Sequence, residues 1–398
     1  MNLLVSCTGR FVLTPDGVLW APPSLEYSFW QRYLEVFEPV MLLARARPET
    51  APPPGWKKAS GPGVQPVALP CFVGAAGLMR ALPAVRPLIK RALAQADAVL
   101  LRLPCGIGDQ VWRALGAKRP YGVEVIGDPY DVFAPGATRH PLRPLVRWWM
   151  SRQLKRECAR ATAAAYVTAE TIQRRYAPGT QAFTTHFSSI EIDRRDFLPE
   201  PRRIRRDTTS FTLVTVGNVH LYKGQDVLIE AVHHSLREGL DLRLILVGDG
   251  KHRPELEARA HSLGLNGRVR FVGELPSGPA VREQLDRADL FVLPSRTEGL
   301  PRAMIEAMAR GIPCIGTTAG GIPELLPVED MVPPGDARAL AGKIRDVLSN
   351  PDRRQQMSAR NLATAQNYQR EVLRRRRVLF YQHLRDDTQV WLGGSQSF

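Results

Sequence analysis

The second half of the chain carries the more regular pattern of apolar and polar positions. Apolar runs of strand length lie at 211–216, 242–247, 269–272, 290–293 and 313–316. Between and after them, 226–238, 253–263, 278–288 and 337–348 keep their apolar residues at helical spacing. Strands alternating with helices of this length predict a parallel, doubly wound sheet, whose ligands sit beyond the C-terminal ends of the strands. The first half is also α/β but less even and richer in proline. Strands are predicted at 3–5, 40–43, 64–69, 98–103, 122–126 and 164–168. Helices are predicted at 25–37, at 74–95 with a break or kink at Pro83 and Pro87, at 109–116 and at 142–160. Residues 104–108 read as a loop able to face a ligand. The stretch 199–210 is charged, bears proline and lacks periodicity, which makes it the expected boundary. A basic helical tail follows at 352–384. The expected division is an N-terminal domain at 1–199, a second domain at 200–350, and C-terminal helices at 351–398.

One strand–turn–helix unit stands out, VLPSRTEGLPRAMIEAMARG at 292–311. Pro301 is expected near the first helical position, where its missing N–H costs nothing. The amides around Gly299, Leu300 and Arg302 then face out of the helix end with partial positive charge behind them, and a phosphate is the natural occupant. Glu298 lies in the turn and Glu306 eight residues on, inside the helix. Either carboxylate could simply stabilise the positive helix end. A second loop, Gly217-Asn218-Val219-His220-Leu221-Tyr222-Lys223-Gly224, follows the first strand of the same half. Lys223 can reach the same crevice from there and offer a compact cation to a leaving diphosphate.

The order S-x-x-E-G-L-P-x-x-x-x-E-A-M-A closely resembles the E-x7-E motif of family 4 retaining glycosyltransferases with a GT-B fold. Further segments resemble that family in order and spacing over about 211–327: Lys223-Gly224, Val247-Gly248-Asp249-Gly250, Arg270-Phe271-Val272-Gly273, Ala309-Arg310-Gly311 and Gly320-Gly321-Ile322-Pro323-Glu324. The resemblance implies two Rossmann-like domains with parallel sheets facing across a cleft, 1–199 on the acceptor side and 200–350 binding the donor, with the helices of 351–398 crossing back to the first domain; the donor substrate would be a nucleoside diphosphate sugar, with no cofactor and no metal. It implies that Glu306 takes the ribose hydroxyls, Glu298 sits beside the donor sugar, and the amides of Gly299, Leu300 and the Pro301 turn hold phosphate or sugar. Gly217 and Gly248 would line the nucleotide loops, and the backbone at Val272 would read the base. The chain departs from the family pattern in two places. Asn218 stands where an arginine on the diphosphate is usual, and no histidine stands near Gly127, so Asp128 is the nearest substitute. Thr8-Gly9-Arg10 is the only counterpart of the family's glycine-rich first loop. The closest approach to a D-x-D metal motif is Glu191-Ile192-Asp193.

Composition narrows the setting. With 398 residues, two domains are the natural prior, and 44% hydrophobic with 23% charged content is that of an ordinary soluble globular chain. There is no apolar run of membrane-spanning length, and the N-terminus reads as a first strand and not as a signal peptide. Five scattered cysteines without C-x-x-C fit free thiols in a reducing cytosol. The net charge is +15, of which +10 falls in residues 1–196. An anionic membrane surface, an anionic substrate and nucleic acid would all suit such a charge. No nucleic-acid motif accompanies it, so nucleic acid is not an expected partner. The helix at 142–160 places Trp148 and Trp149 among six basic residues, a pattern of an interfacial helix or of tryptophans packed on the sheet beneath a solvated basic face. The expected activity is transfer of a sugar to a lipid-linked or growing envelope glycan, met in the cytoplasm at the inner face of the cell membrane. A soluble transferase on a small acceptor, a catalytically weak GT-B binding or scaffold subunit, and a binder of anionic polymers are the alternatives.

Overall fold

The computed structural model describes residues 1–116, 119–134, 141–190 and 192–395. The chain forms two compact units. Met1–Asp128, Trp149–Phe187 and Arg375–Phe398 make up the first; Pro129–Trp148 and Ser188–Arg374 make up the second.

Up to residue 187 the elements are β1 (Leu3–Leu13), β2 (Leu19–Ala21), α1 (Tyr27–Gln31), β3 (Val40–Pro48), β4 (Lys57–Lys58), β5 (Val64–Pro70), α2 (Gly74–Gln95), β6 (Ala98–Leu103), α3 (Gly106–Ala114), β7 (Gly122–Val125), α4 (Pro129–Val132), α5 (Arg143–Ala159), β8 (Ala163–Tyr166), α6 (Thr171–Arg175) and β9 (Phe183–His186). Strands β5, β3, β1, β6, β7, β8 and β9 run parallel side by side, and β2 and β4 add antiparallel pairings beyond β1. The chain steps from β5 to β6 to β7 to β8 in one direction across this sheet. Right-handed crossovers therefore put α2, α3 and α5 on one face. Val85 and Ile89 of α2, Val111 of α3 and Leu154 and Cys158 of α5 accordingly share one apolar core with Leu101 and Val123 of the strands.

Several expectations for this half are corrected. β1 runs on to Leu13 through a register irregularity between Ser6 and Arg10, so Thr8-Gly9-Arg10 lies inside a strand and forms no glycine-rich loop. The helix expected at 25–37 is a five-residue α1 followed by a tight 3-10 turn at Arg32–Glu35. α2 continues unbroken through Pro83 and Pro87, whose rings both lie on the exposed side, where the freed carbonyls one turn back meet solvent. The loop at 104–108 shortens because α3 begins at Gly106. In α5, Trp148 and Trp149 are 59% and 46% exposed, so they do not pack on the sheet.

The second unit is built on β10 (Ser210–Val216), α7 (Gln225–Arg237), β11 (Asp241–Val247), α8 (Arg253–Ser262), β12 (Val269–Gly273), α9 (Pro279–Asp286), β13 (Leu290–Leu293), α10 (Arg302–Ala309), β14 (Cys314–Thr317), β15 (Met331–Val332), α11 (Ala337–Leu348) and α12 (Pro351–Gln366). Its six strands run parallel in the order β12-β11-β10-β13-β14-β15. From β10 the chain winds outward through β11 and β12, returns to the other side of β10 for β13, and winds outward again. The winding direction therefore reverses between β10 and β13, the place where an open parallel sheet leaves a crevice beyond its strand ends. The 199–210 stretch is packed here: the Arg202 guanidinium donates to the carbonyls of Arg310 and Ala288 at 2.7 and 2.8 Å, closing the C-terminal ends of α10 and α9. A cation suits both ends.

The tail is two helices, α12 and then α13 (Arg370–Ser395), separated at 367–369. From Arg375 onward α13 belongs to the first unit. There the hydroxyls of Tyr381 and Tyr33 donate to the two oxygens of Glu124 at 3.0 and 3.1 Å, while Arg102 Nε donates to the same carboxylate at 3.0 Å. All four side chains are buried. No helix among the described residues is long and apolar enough to cross a membrane.

Candidate active site

The two loops that leave β10 and β13 are locked together by backbone. At Gly224, with φ of +68°, a Cβ would stand 2.0 Å from the Pro294 carbonyl oxygen, so only glycine lets the Lys223 turn lie directly on the start of the 294–298 turn. The Arg296 amide donates to the Tyr222 carbonyl at 2.7 Å. The Arg296 guanidinium donates to the Leu221 carbonyl and grips Asp226 of α7 with both arms, at 2.7–2.8 Å. On the other side, Gly320 (φ +54°) presses against Glu298, where a Cβ would fall 1.8 Å from the Glu298 carbonyl oxygen. The Thr317 hydroxyl bonds the Ser295 carbonyl at 2.6 Å, and the Gly321 amide bonds the Gly299 carbonyl at 2.8 Å. The Glu298 turn is held from both sides.

This clamping brings Lys223 and Glu298 together: Nζ donates to Oε1 at 2.6 Å, and Ser295 Oγ donates to the same oxygen at 2.6 Å. Both side chains are largely buried, at 18% and 8% exposure. Gly217 borders the lysine stem, its Cβ position lying 3.6 Å from Lys223 Cε. Gly248 in turn abuts Gly217, where a Cβ would meet the Gly217 carbonyl oxygen at 2.1 Å. Asn218 is exposed at this edge. Pairing of β11 with β12 slips by one residue, so that Leu246 faces Phe271 and Val247 faces Gly273, leaving Val272 as a bulge. A bulged residue has unladdered backbone groups, here at the ligand edge of the sheet.

Pro301 is the cap residue just outside α10, one position earlier than expected. Among the described residues the amides of Gly299, Leu300 and Arg302 donate to no protein acceptor. The Glu306 carboxylate receives no hydrogen bond among the described residues either. Burial pushes its pKa above the ordinary carboxylate value; Arg302 and Arg282 pull it back, and Asp196 adds to the rise. A half-buried carboxylate with both oxygens unsatisfied is suited to a pair of neighbouring hydroxyls.

Asp128 belongs to the first unit and accepts hydrogen bonds from Arg175 and from the Tyr176 hydroxyl. Its side chain is 2% exposed. Burial beside Asp128 drives the Tyr176 pKa upward. Glu191 of the E-I-D segment lies outside the described residues. Sequence reasoning missed the Arg296–Asp226 strap and the approach of Arg282 to Glu306. The strap joins residues 70 apart, and no local spacing announces it.

A parallel α/β sheet in each of two units, with an anion-ready crevice at the reversal point of the second, is the architecture of GT-B glycosyltransferases. Residues 196–363 match the family model of glycosyl transferases group 1. The chain is 24% identical to Protein CapJ of Staphylococcus aureus over 370 residues, 91% of each chain. It is 35% identical over 166 residues to the putative colanic acid biosynthesis glycosyltransferase WcaL of Escherichia coli strain K12, an alignment spanning 39% of this chain and 40% of that one. Among solved structures it is similar to Anabaena HepE in complex with UDP-glucose, with a TM-score of 0.63 and 17% identity, covering 98% of this chain and 100% of the other. The family match and the fold support a glycosyltransferase.

Proposed function

We propose that the protein is a retaining, metal-independent glycosyltransferase of family 4 that moves a sugar from a nucleoside diphosphate sugar to a lipid-linked or growing envelope glycan. The observation that carries this reading is the Lys223–Glu298 pair in the loops flanking the β10/β13 reversal, with the unsatisfied Glu306 on the helix that follows. In this reading Glu306 accepts both ribose hydroxyls and the bulged backbone at Val272 meets the base. The amides of Gly299, Leu300 and Arg302 take phosphate or sugar oxygens, with the dipole of α10 behind them. Gly217 and Gly248 let the diphosphate approach the loop backbone. The Lys223 ammonium, held ready by Glu298, turns to the diphosphate as the bond to the sugar breaks and charge builds on the leaving oxygen. Glu298 then holds a hydroxyl of the donor sugar. The acceptor hydroxyl attacks from the face the diphosphate leaves, and its proton passes to the departing phosphate, so the anomeric configuration is kept. The name of WcaL supports a glycan acceptor, and the exposed tryptophans of α5 support work at the inner face of the cell membrane.

Asn218 favours one competing reading, a GT-B unit that binds a nucleotide sugar but turns it over weakly, because an amide brings no charge to the diphosphate. Incubation with UDP-, GDP- and dTDP-sugars, with released nucleotide and product configuration followed by NMR, separates the two. Transfer with retained configuration is expected, falling roughly 10²–10³-fold in Lys223→Ala and also in Glu298→Gln. An inverted product, or turnover that both variants leave unchanged, removes the proposal.

A further inference from the structure

Two carboxylates of the second unit are treated differently by the arginines near them. Asp226 is gripped by both arms of Arg296, so its oxygens are taken. Glu306 has Arg302 one turn earlier on α10 and Arg282 on α9 close enough to act on its charge, yet its oxygens accept nothing among the described residues. The third charged group facing it is Asp196. Strands β13 and β14 carry no charged side chain, and α12 meets the far end of α10, where the Asn361 amide donates to the Ile312 carbonyl at 2.8 Å. Arg282 is held elsewhere: its Nη1 pairs with Asp196 Oδ1 at 3.2 Å, the one ion pair its guanidinium makes among the described residues. Asp196 is itself fixed. Its other carboxylate oxygen accepts the Asp193 amide at 3.0 Å, closing a tight 3-10 turn at Arg194–Asp196, and its carbonyl accepts from Arg310 Nη1 at 2.9 Å. The Leu198 amide then ties the same segment to the Ala309 carbonyl of α10 at 3.0 Å.

Burial drives a carboxylate towards its neutral form, which turns one oxygen into a donor, so accepting from two hydroxyls requires the ion. A nearby cation keeps the ion, but an arginine free to close on it would cover both oxygens with its fork. A tethered arginine avoids that conflict. We infer that Arg282 is a positioning residue for the ribose carboxylate: pinned by Asp196, it lends Glu306 its positive charge without covering the oxygens that take the hydroxyls. The inference rests on the proposed function, in which Glu306 accepts the ribose hydroxyls of the donor.

Calorimetric titration of the full chain with UDP-glucose and GDP-mannose, from mild acid to mild alkali, tests it; their doubly esterified diphosphates do not titrate in that range. In the parent, affinity should fall as pH drops through the raised Glu306 pKa. Arg282→Gln removes a cation, so the fall should begin roughly one pH unit higher, and the loss should shrink in mild alkali, where the carboxylate ionises without help. Arg282→Lys keeps the charge and should restore most of the parent profile. Asp196→Asn keeps an acceptor for the Asp193 amide but frees Arg282 to close on Glu306. There the fall should begin at lower pH, while affinity in mild alkali drops roughly tenfold. An ion pair that served stability alone would give both partners' variants the same direction of change. Circular dichroism verifies folding, and should Asp196→Asn not fold, Arg282→Gln against Arg282→Lys decides by itself. Variants that keep the parent's pH profile, or that both move it the same way, overturn the inference and leave the donor site standing. A parent that binds neither sugar nucleotide, or binds them no less tightly as Glu306→Gln, removes the proposed function and the inference with it.

Discussion

At Glu306 the fold keeps a carboxylate where it is costly and leaves it unsatisfied. Its raised pKa means the folded chain binds the proton more tightly than the unfolded chain, so its contribution to stability is full below the ordinary carboxylate pKa of 4.5 and is lost as pH rises through the folded value. Glu306→Gln is therefore expected to raise the melting temperature at neutral pH. The same change should weaken a nucleoside diphosphate roughly 10–100-fold, the worth of hydrogen bonds to a charged acceptor; calorimetry with UDP and GDP against thermal melts checks both signs. Gly320 offers a contrasting case. A methyl group there meets the Glu298 carbonyl at 1.8 Å with φ at +54°. Gly320→Ala should cost more than about 1–3 kcal/mol and displace the Glu298 turn. Denaturant unfolding measures the first effect, and loss of the nucleotide-induced thermal shift reports the second. Glu298, Lys223 and Glu306 could be picked out of the sequence because each belongs to a strand–turn–helix unit of fixed spacing. Arg296 could not: its partners Asp226 and Leu221 are far along the chain, and arginine in a turn is ordinary until the fold supplies them.

Among the elements, the fully buried strands were the most legible. The runs at 98–103 and 290–293 are β6 and β13 residue for residue, because a strand covered on both faces is nearly continuous in apolar residues; the exception, Arg102, is paired inside with Glu124. Elements whose stability comes from partners were not. β15, two residues long, exists because Met331 and Val332 pair with Gly316 and Thr317 of β14. α6 (TIQRR) and β9 (FTTH) are themselves mostly polar, and β9 is fixed by its ladder to β8. The α3–α5 contact carries a consequence for pH. Burial and the neighbouring Asp109 push the Glu157 pKa up to about 10, so the pair holds a proton that the unfolded chain has released near 4.5. Stability drawn from this contact should be full in mild acid and decline as pH climbs from about 4.5 towards 10. Glu157→Gln keeps a donor and removes the titration; its melting temperature should stay flatter across that range than that of the parent.

For the molecule as a whole, the division of the chain into an α/β pair of units could be read from the change in regularity near the middle. Composition could not give the membership of each unit, since that depends on which segments pack together. The last helix is the clearest instance. A chain cut after Arg374 loses Tyr381 and Phe380 from the first unit but nothing from the second. Glu124 then lacks one of its two tyrosine donors in a buried site, a loss of roughly 1–3 kcal/mol before the apolar contacts are added. Limited proteolysis should cut such a chain first within Met1–Asp128 while Ser188–Arg374 resists. The shared membership has a further result for biosynthesis. A ribosome completes Ser188–Arg374 of the second unit while the first unit, begun earlier, still waits for the segment from Arg375 on, so the nascent chain completes its parts in the reverse of the order in which it started them. Until those turns emerge, Glu124 has Tyr33 and Arg102 but not Tyr381 to satisfy it, and that interval is when a chaperone would find most to hold.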